Sequence, residues 1–141
     1  MEKNDEFKQG YYQNALTESF MTLDAEVKGE IYAKETGSTA CVVLITPDKI
    51  ICANAGDSRA VLFSNNKAIG LSEDHKPDNK EEKNRIEKSG HIVEDNRVDG
   101  NLALSRAFGD YQYKCQANLE PHQWAVTAKP DITVNTRTNK D

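Results

Sequence analysis

The sequence predicts an α+β fold in which antiparallel strands are flanked by helices. Two patterns lead to this prediction: an amphipathic period over residues 5–28, and short β-branched runs separated by turn signals over residues 39–72. A chain of 141 residues can bury one core and is too short for two ordinary domains. We therefore expect one α+β domain, or part of one.

The first element is an amphipathic helix over residues 5–28, or two helices broken near Gly10. Its apolar residues recur every three to five positions, close to the helical period: Phe7, Tyr11, Leu16, Phe20, Leu23 and Val27. The opposite side is polar, so the pattern favours a helix packed on a sheet.

Residues 37–77 predict an antiparallel meander. Its strands are expected at residues 39–46, 50–55, 59–63 and 68–72, with turn signals at Pro47-Asp48-Lys49 and Asn65-Asn66. We expect these strands to form one sheet with the N-terminal helix on one face, which would bury Val42, Leu44 and Ile51.

The hub of the meander is the turn Gly56-Asp57-Ser58-Arg59, which lies between two apolar runs. Gly56 permits a tight bend, which places Asp57 at the end of the sheet where two strands are joined. A carboxylate in that position stays solvated and able to bind a ligand. The alternative is that amides of the turn satisfy Asp57. Arg59 is expected to pair with a nearby carboxylate and to hold the shape of the turn.

The segment after the meander is predicted to be mostly helix and loop. Residues 78–90 form a charged helix with cap candidates at both ends, and its alternating charges indicate a solvated face. A brief strand at 91–93 and an irregular loop at 95–100 follow. Further on we expect a short helix at 104–110, a loop with a helical turn at 111–124, and a strand at 132–134.

Composition and sequence patterns argue against several classes of function. The net charge is -5 and basic residues are interleaved with acidic ones, which argues against a nucleic-acid partner. The N-terminus lacks the apolar region of a secretory signal and no run is long enough to span a membrane, so a cytoplasmic or nuclear location is expected. The three cysteines lack metal-ligand spacing and are expected to be reduced thiols.

Four motifs in this order and spacing resemble those of the metal-dependent protein phosphatases, the type-2C or PPM family. They are Gly37-Ser38-Thr39-Ala40, Gly56-Asp57-Ser58-Arg59, Asp74-His75-Lys76-Pro77 and Leu104-Ser105-Arg106-Ala107-Phe108-Gly109-Asp110. The resemblance implies part of an α-β-β-α sandwich, truncated at both ends. Residues 78–102 resemble the family's flap beside the active site, and residues 103–134 its return to the sandwich.

The resemblance also implies roles for single residues. Asp57 matches a carboxylate of the family's metal site, and Mg²⁺ and Mn²⁺ prefer such oxygen ligands. Thr39 is a supporting residue near that site, or a threonine present only for its strand propensity. The remaining motif residues are interpreted as structural, with His75 as a hydrogen-bonded loop anchor: Gly56, Arg59, Asp74, His75, Ser105, Arg106, Gly109 and Asp110.

The implied reaction is hydrolysis of phosphoserine or phosphothreonine in protein substrates by water activated between two Mg²⁺ or Mn²⁺ ions. The family's other metal-ligand motifs are missing, because no Asp-Gly-His occurs and Asp99-Gly100 falls inside the flap-like segment. Two hypotheses remain. The chain is a phosphatase fragment, or it is a catalytically inactive pseudophosphatase that acts as a scaffold or regulatory partner.

Overall fold

The helices and strands of the chain are seen in a computed structural model that describes residues 4–137. The helices are α1 (Asp5–Lys8), α2 (Tyr12–Val27) and α3 (Lys80–Lys88). The strands are β1 (Gly37–Ser38), β2 (Ala40–Ile45), β3 (Lys49–Ala55), β4 (Val61–Ser64), β5 (Lys67–Gly70), β6 (Val93–Glu94), β7 (Arg97–Val98), β8 (Phe108–Gly109) and β9 (Asp131–Thr136).

The N-terminal helix is divided near Gly10, one of the two arrangements expected from the sequence. The side chain of Asn4 caps α1 by accepting a hydrogen bond of 3.0 Å from the Phe7 amide. The chain then leaves the helix through Gly10 at φ +83°, a conformation that glycine adopts without strain. In α2, Leu16 and Phe20 are buried against the sheet, and each contributes roughly 1.5–3 kcal/mol by that burial.

The main sheet is antiparallel with the strand order β2-β3-β9. Six residue pairs join β2 to β3 and another six join β3 to β9, with Ile51 opposite both Leu44 and Val134. One face of β3 packs on α2 through Ile51, Ala53 and Ala55. The predicted helix-on-sheet packing is therefore present.

The prediction of one sheet over residues 39–72 is wrong. Strands β4 and β5 form a separate two-stranded sheet, and the second edge of β3 is occupied by β9. The third strand begins at Val61, not at Arg59, because Arg59 belongs to the turn and reaches across to Asp74. Val42 keeps 39% of its surface exposed, although Ile51 is buried as expected.

Two further hydrophobic clusters complete the described core. The face of β3 away from α2 packs Ile50 and Cys52 on Leu71, next to Cys41, Ala60 and Leu62. A third cluster lies beneath α3 and consists of Ile86, Val98, Ala107, Tyr113, Ala125 and Val126.

Three further predictions are corrected after residue 78. Residues 93–98 form the hairpin β6–β7, since Asp95 and Asn96 adopt the positive φ values that a tight hairpin turn requires. Residues 104–110 are not helical, because Gly109 and Asp110 both lie in the left-handed region and β8 pairs with β1. Helix α3 is not simply a solvated face, because Glu82 is buried.

The loop expected at 111–124 contains two 3₁₀ turns, at Tyr111–Tyr113 and Pro121–Gln123. The expected final strand is the middle of β9. Within residues 4–137, no helix is both long enough and apolar enough to cross a membrane.

Candidate functional site

The candidate site is built on the turn that follows β3. Gly56 is buried and has φ +117°, and a Cβ atom at this position would lie 2.3 Å from Cγ2 of Thr39. That separation is far inside van der Waals contact, so a glycine is required both by the backbone angle and by the space. The turn is therefore packed directly against the residue between β1 and β2.

Hydrogen bonds hold the backbone of Gly56 on both sides. The Gly56 amide donates to Nδ1 of His75 over 3.1 Å, and the His75 amide donates to the Gly56 carbonyl over 3.1 Å. Nδ2 of Asn54 donates to the same carbonyl over 3.0 Å and to the Glu73 carbonyl over 2.9 Å. His75 is 3% exposed, which makes it a buried anchor between the turn and the loop before α3.

Asp57 projects from this anchored turn with 30% of its side chain exposed. Its Oδ2 accepts a short hydrogen bond from Nζ of Lys76, so the carboxylate is paired with an ammonium group. Beside it, the hydroxyls of Thr39 and Ser58 are hydrogen-bonded to each other at 2.8 Å. The structure thus brings Thr39 to the turn of Asp57, with its hydroxyl engaged by Ser58.

Arg59 makes a bidentate ion pair with Asp74. Nε donates to Oδ1 over 3.0 Å and Nη2 donates to Oδ2 over 2.9 Å. The hydrogen bond from Arg59 lowers the pKa of Asp74, so this carboxylate stays ionised at neutral pH. The pair ties the turn to the loop that carries His75.

The described residues do not amount to a complete metal centre. Within residues 4–137, no group of three or more His, Cys, Asp or Glu side chains is placed to hold a metal ion. Asp57 offers carboxylate oxygens of the kind that Mg²⁺ and Mn²⁺ prefer, but a hard divalent cation takes six or more oxygen ligands. In the described part of the chain the carboxylate of Asp57 is instead paired with the ammonium group of Lys76.

A buried charge network that the sequence analysis missed lies next to the turn. Glu82 of α3 is 3% exposed and accepts from Arg85 over 2.9 and 2.8 Å and from Nη2 of Arg106 over 2.7 Å. The Ser105 hydroxyl also donates to Glu82, over 2.5 Å. Burial opposes ionisation of Glu82, but the hydrogen bonds from Arg106 and Arg85 outweigh it and lower its pKa to about 2.

Arg106 continues this network to β9. Its Nη1 donates to Oδ1 of Asp131 over 2.6 Å and to the Lys129 carbonyl over 3.1 Å, while Nε2 of His75 lies 3.0 Å from Oδ2 of Asp131. The bond with His75, assisted by Arg106, holds the pKa of Asp131 well below its usual range. The chain of contacts runs from α3 through Arg106 and Asp131 to His75, and so to the turn of Asp57.

A second buried ion pair holds Gly109 against α2. Nζ of Lys114 donates to both carboxylate oxygens of Asp24 over 2.9 Å, and the Gly109 amide donates to Asp24 over 2.9 Å. Burial raises the pKa of Asp110, although Lys114 opposes the effect. Ser105, Arg106, Gly109 and Asp110 therefore lie in packed, hydrogen-bonded positions.

The residues that the sequence analysis missed are Asp24, Glu82, Arg85, Lys114 and Asp131. One signal pointed to Glu82: it lies four residues before Ile86, the only large aliphatic residue of the charged helix, and so on the same helix face. Asp24 likewise lies four residues after Phe20. Apart from Arg85, which lies three residues after Glu82, the partners of both residues are distant in sequence, and no local pattern could identify those distant partners.

Comparisons with known proteins agree with this architecture. The family profile described as "Protein phosphatase 2C" matches residues 1–141. A phosphatase of Toxoplasma gondii has a similar structure, with a TM-score of 0.72 at 27% identity over 86% of this chain and 54% of that one. The fold of serine-threonine phosphatase 2C from the same organism is similar as well, with a TM-score of 0.75 at 23% identity over 99% and 53% of the two chains.

Curated relatives carry the same family name. Protein phosphatase 2C homolog 3 of Schizosaccharomyces pombe is 48% identical over 143 residues, covering 100% of this chain and 34% of that protein. Protein phosphatase 2C homolog 2 of Hypocrea jecorina is 45% identical, with 99% and 32% covered. Probable protein phosphatase 2C 3 of Paramecium tetraurelia is 43% identical, with 99% and 51% covered. This chain thus spans about a third to a half of their length, and it belongs to the protein phosphatase 2C family.

Proposed function

We propose that this chain forms the central part of a metal-dependent protein serine/threonine phosphatase domain, in which Asp57 is one ligand of a Mg²⁺ or Mn²⁺ site. The reaction class is hydrolysis of phosphoserine or phosphothreonine esters in protein substrates. The observation that carries the proposal is the turn of Asp57, where a partly exposed carboxylate extends from a backbone fixed by His75 and Asn54.

The rigidity of that turn supports a ligand role because a metal ligand works best when its orientation is set beforehand. Hydrogen bonds with His75 and Asn54 hold the backbone of Gly56 in place, and the ion pair of Arg59 with Asp74 attaches the end of the turn to the next loop. The ammonium group of Lys76 is paired with the carboxylate of Asp57, so a bound cation would compete with Lys76 for the carboxylate oxygens. Since the described residues do not complete a metal centre, no catalytic step is assigned to them.

The proposal is tested by replacing the matching segment of Schizosaccharomyces pombe protein phosphatase 2C homolog 3 with this chain. We expect the chimera to hydrolyse a phosphothreonine peptide in a manganese-dependent way, and Asp57→Asn to lower its apparent manganese affinity at least about tenfold. Asp78→Asn, an exposed carboxylate in the loop before α3, is the matched control and should leave the manganese response unchanged.

Two results would contradict the proposal. One is a folded chimera without hydrolysis under conditions in which the parent protein is active. The other is an Asp57→Asn chimera with the manganese response of Asp78→Asn.

The 141-residue chain assayed by itself with millimolar manganese should show negligible hydrolysis, because Asp57 alone among its described residues is proposed as a ligand.

A further inference from the structure

His75 is held by a hydrogen bond at each of its two ring nitrogens. The Gly56 amide donates to Nδ1 over 3.1 Å, and Nε2 lies 3.0 Å from Oδ2 of Asp131. Only 3% of His75 is exposed, so solvent offers little replacement for either contact. The protonation of this ring is therefore decided by its two protein partners.

The contact with Gly56 determines which ring nitrogen carries the proton. A backbone amide only donates, so Nδ1 must present its lone pair and has no proton. The proton of the neutral ring is then on Nε2, which donates it to the carboxylate of Asp131. A proton on Nδ1 would face the amide hydrogen of Gly56 and would break that hydrogen bond.

Asp131 is held in the orientation that accepts this proton. Its Oδ1 accepts from Nη1 of Arg106 over 2.6 Å, which leaves Oδ2 for His75. The hydrogen bond from His75, assisted by the charge of Arg106, holds the pKa of Asp131 well below its usual range. Arg106 is itself buried and paired with Glu82, so the group that orients Asp131 is anchored in the core.

The register of the main sheet places Asp131 next to the loop before α3. In the pairing of β3 with β9, Asp131 lies opposite Asn54. These two neighbours bind one loop, because Asn54 donates to the Glu73 carbonyl and Asp131 accepts from His75. The end of the main sheet thus holds the loop, and the loop holds Gly56.

We propose that Asp131 is a positioning residue for the turn of Asp57. It keeps the proton of His75 on Nε2, so that Nδ1 accepts the Gly56 amide and fixes the backbone from which Asp57 projects. Groups that orient a ligand in this way affect metal affinity without touching the metal. The consequence for metal binding rests on the proposed function of Asp57, whereas the consequence for His75 and Gly56 does not.

Asp131→Asn tests the proposal, because it places a donor against Nε2 of His75. The guanidinium of Arg106 only donates, so it selects the amide oxygen and turns the new amide nitrogen towards His75. We expect the ring proton to move to Nδ1, as seen in heteronuclear NMR spectra of the histidine ring nitrogens. The Gly56 amide should then exchange with deuterium at least about tenfold faster, because it has lost its acceptor.

Asp99→Asn is the matched control, since it alters a similar pair elsewhere in the chain. Oδ2 of Asp99 lies 2.7 Å from Nδ1 of His91. The substitution should change the ring signals of His91 and leave the ring of His75 and the exchange of the Gly56 amide as in the wild type. Circular dichroism checks that both variants are folded.

The wild type provides a second test that does not depend on the folding of a variant. Its His75 ring should carry the proton on Nε2, and a proton on Nδ1 would overturn the proposal. An Asp131→Asn variant with the ring signals and the Gly56 exchange of the wild type would overturn it as well.

The consequence for metal binding is measured in the chimera with Schizosaccharomyces pombe protein phosphatase 2C homolog 3. Asp131→Asn should lower its manganese affinity about tenfold, followed by electron paramagnetic resonance of free manganese as well as by hydrolysis. Unchanged affinity in a chimera that responds to Asp57→Asn would overturn the positioning role. A chimera in which Asp57→Asn has no effect contradicts the proposed function instead, and the ring and amide measurements then decide the role of Asp131 by themselves.

Discussion

At the scale of single residues, the turn after β3 depends on Gly56 more than on its charged neighbours. The residue combines φ +117° with the close approach of Thr39, and both features exclude a side chain. Arg59 and Asp74 stand partly in solvent, with 61% and 22% of their side chains exposed, so their ion pair contributes little to stability. The shape of the turn is therefore set mainly by backbone conformation and packing.

The first prediction concerns Gly56→Ala, which should lower the free energy of unfolding by about 3 kcal/mol, because strain at a positive φ adds to overpacking against Thr39. Urea unfolding followed by circular dichroism measures the change. Gly29→Ala is the control: it has no neighbour within 4 Å and no positive φ, so stability should change by less than about 1 kcal/mol. Equal effects of the two substitutions would show that the turn can relax.

At the scale of elements, α3 is attached through its buried carboxylate as well as through Ile86. Glu82 receives hydrogen bonds from Arg85 in its own helix and from Arg106 and Ser105 across the core. Buried ion pairs seldom stabilise more than apolar residues of the same volume would, but removing one partner leaves a buried charge without compensation. The position of α3 should therefore be sensitive to Glu82 and much less so to its exposed charges.

The second prediction is that Glu82→Gln lowers the free energy of unfolding by about 3 kcal/mol, because the guanidinium groups of Arg85 and Arg106 lose their buried counter-charge. Glu87→Gln is the matched control on the same helix. Glu87 is half exposed and lies 3.7 Å from Lys83, so its loss should cost no more than roughly 0.5 kcal/mol. Chemical denaturation at neutral pH gives both values, and similar values would refute the anchoring role of Glu82.

The third prediction is the pH dependence of the same contact. The pKa of Glu82 falls from 4.5 to about 2 on folding, so the unfolded chain binds a proton at a higher pH than the folded chain does. The stabilisation is complete above pH 4.5 and is lost as the pH falls through the folded pKa near 2. The difference in the free energy of unfolding between the wild type and Glu82→Gln should therefore shrink as the pH falls from 4.5 to about 2. Denaturation curves at several pH values measure the difference, which should stay constant if Glu82 is not involved.

At the scale of the whole molecule, the main sheet has an apolar edge. Strand β2 pairs only with β3 in the described part of the chain, and it is built from Ala, Cys, Val, Leu and Ile residues. Val43 and Ile45 are 40% and 60% exposed, and no charged side chain interrupts the strand. Natural sheets usually protect such edges with charges or bulges, so this edge is available for strand pairing.

The fourth prediction is that the chain associates as its concentration rises and that Ile45→Lys reduces this association, because a charge in an edge strand disfavours pairing with another strand. Sedimentation velocity over a range of concentrations measures it. Ile31→Lys is the control: Ile31 is 83% exposed but lies outside any strand, so its substitution removes an equally apolar side chain and leaves the edge intact. Reduced association in both variants would indicate nonspecific hydrophobic association rather than strand pairing at the edge of β2.

Local patterns in the sequence were sufficient for the N-terminal helical region, the first two strands of the meander, the Asn65-Asn66 turn and the α+β class. They left open whether that helix is continuous or broken near Gly10, and the structure shows it broken. Each of these depends on residues close together in the chain, where helical or strand periodicity and turn chemistry act directly. The four motifs with their spacing also identified the family, which the matches to known phosphatases confirm.

Only the tertiary structure decided which strands share a sheet and which charges are buried. Strand β9 takes the edge of β3 that the local sequence assigns to β4, since pairing across some eighty residues depends on the packing of the whole core. The contacts of Glu82 with Arg106, of Asp24 with Lys114 and of Cys41 with Cys52 arise in the same way. A local pattern describes which side chains share a face, but the partner across that face is set by the fold.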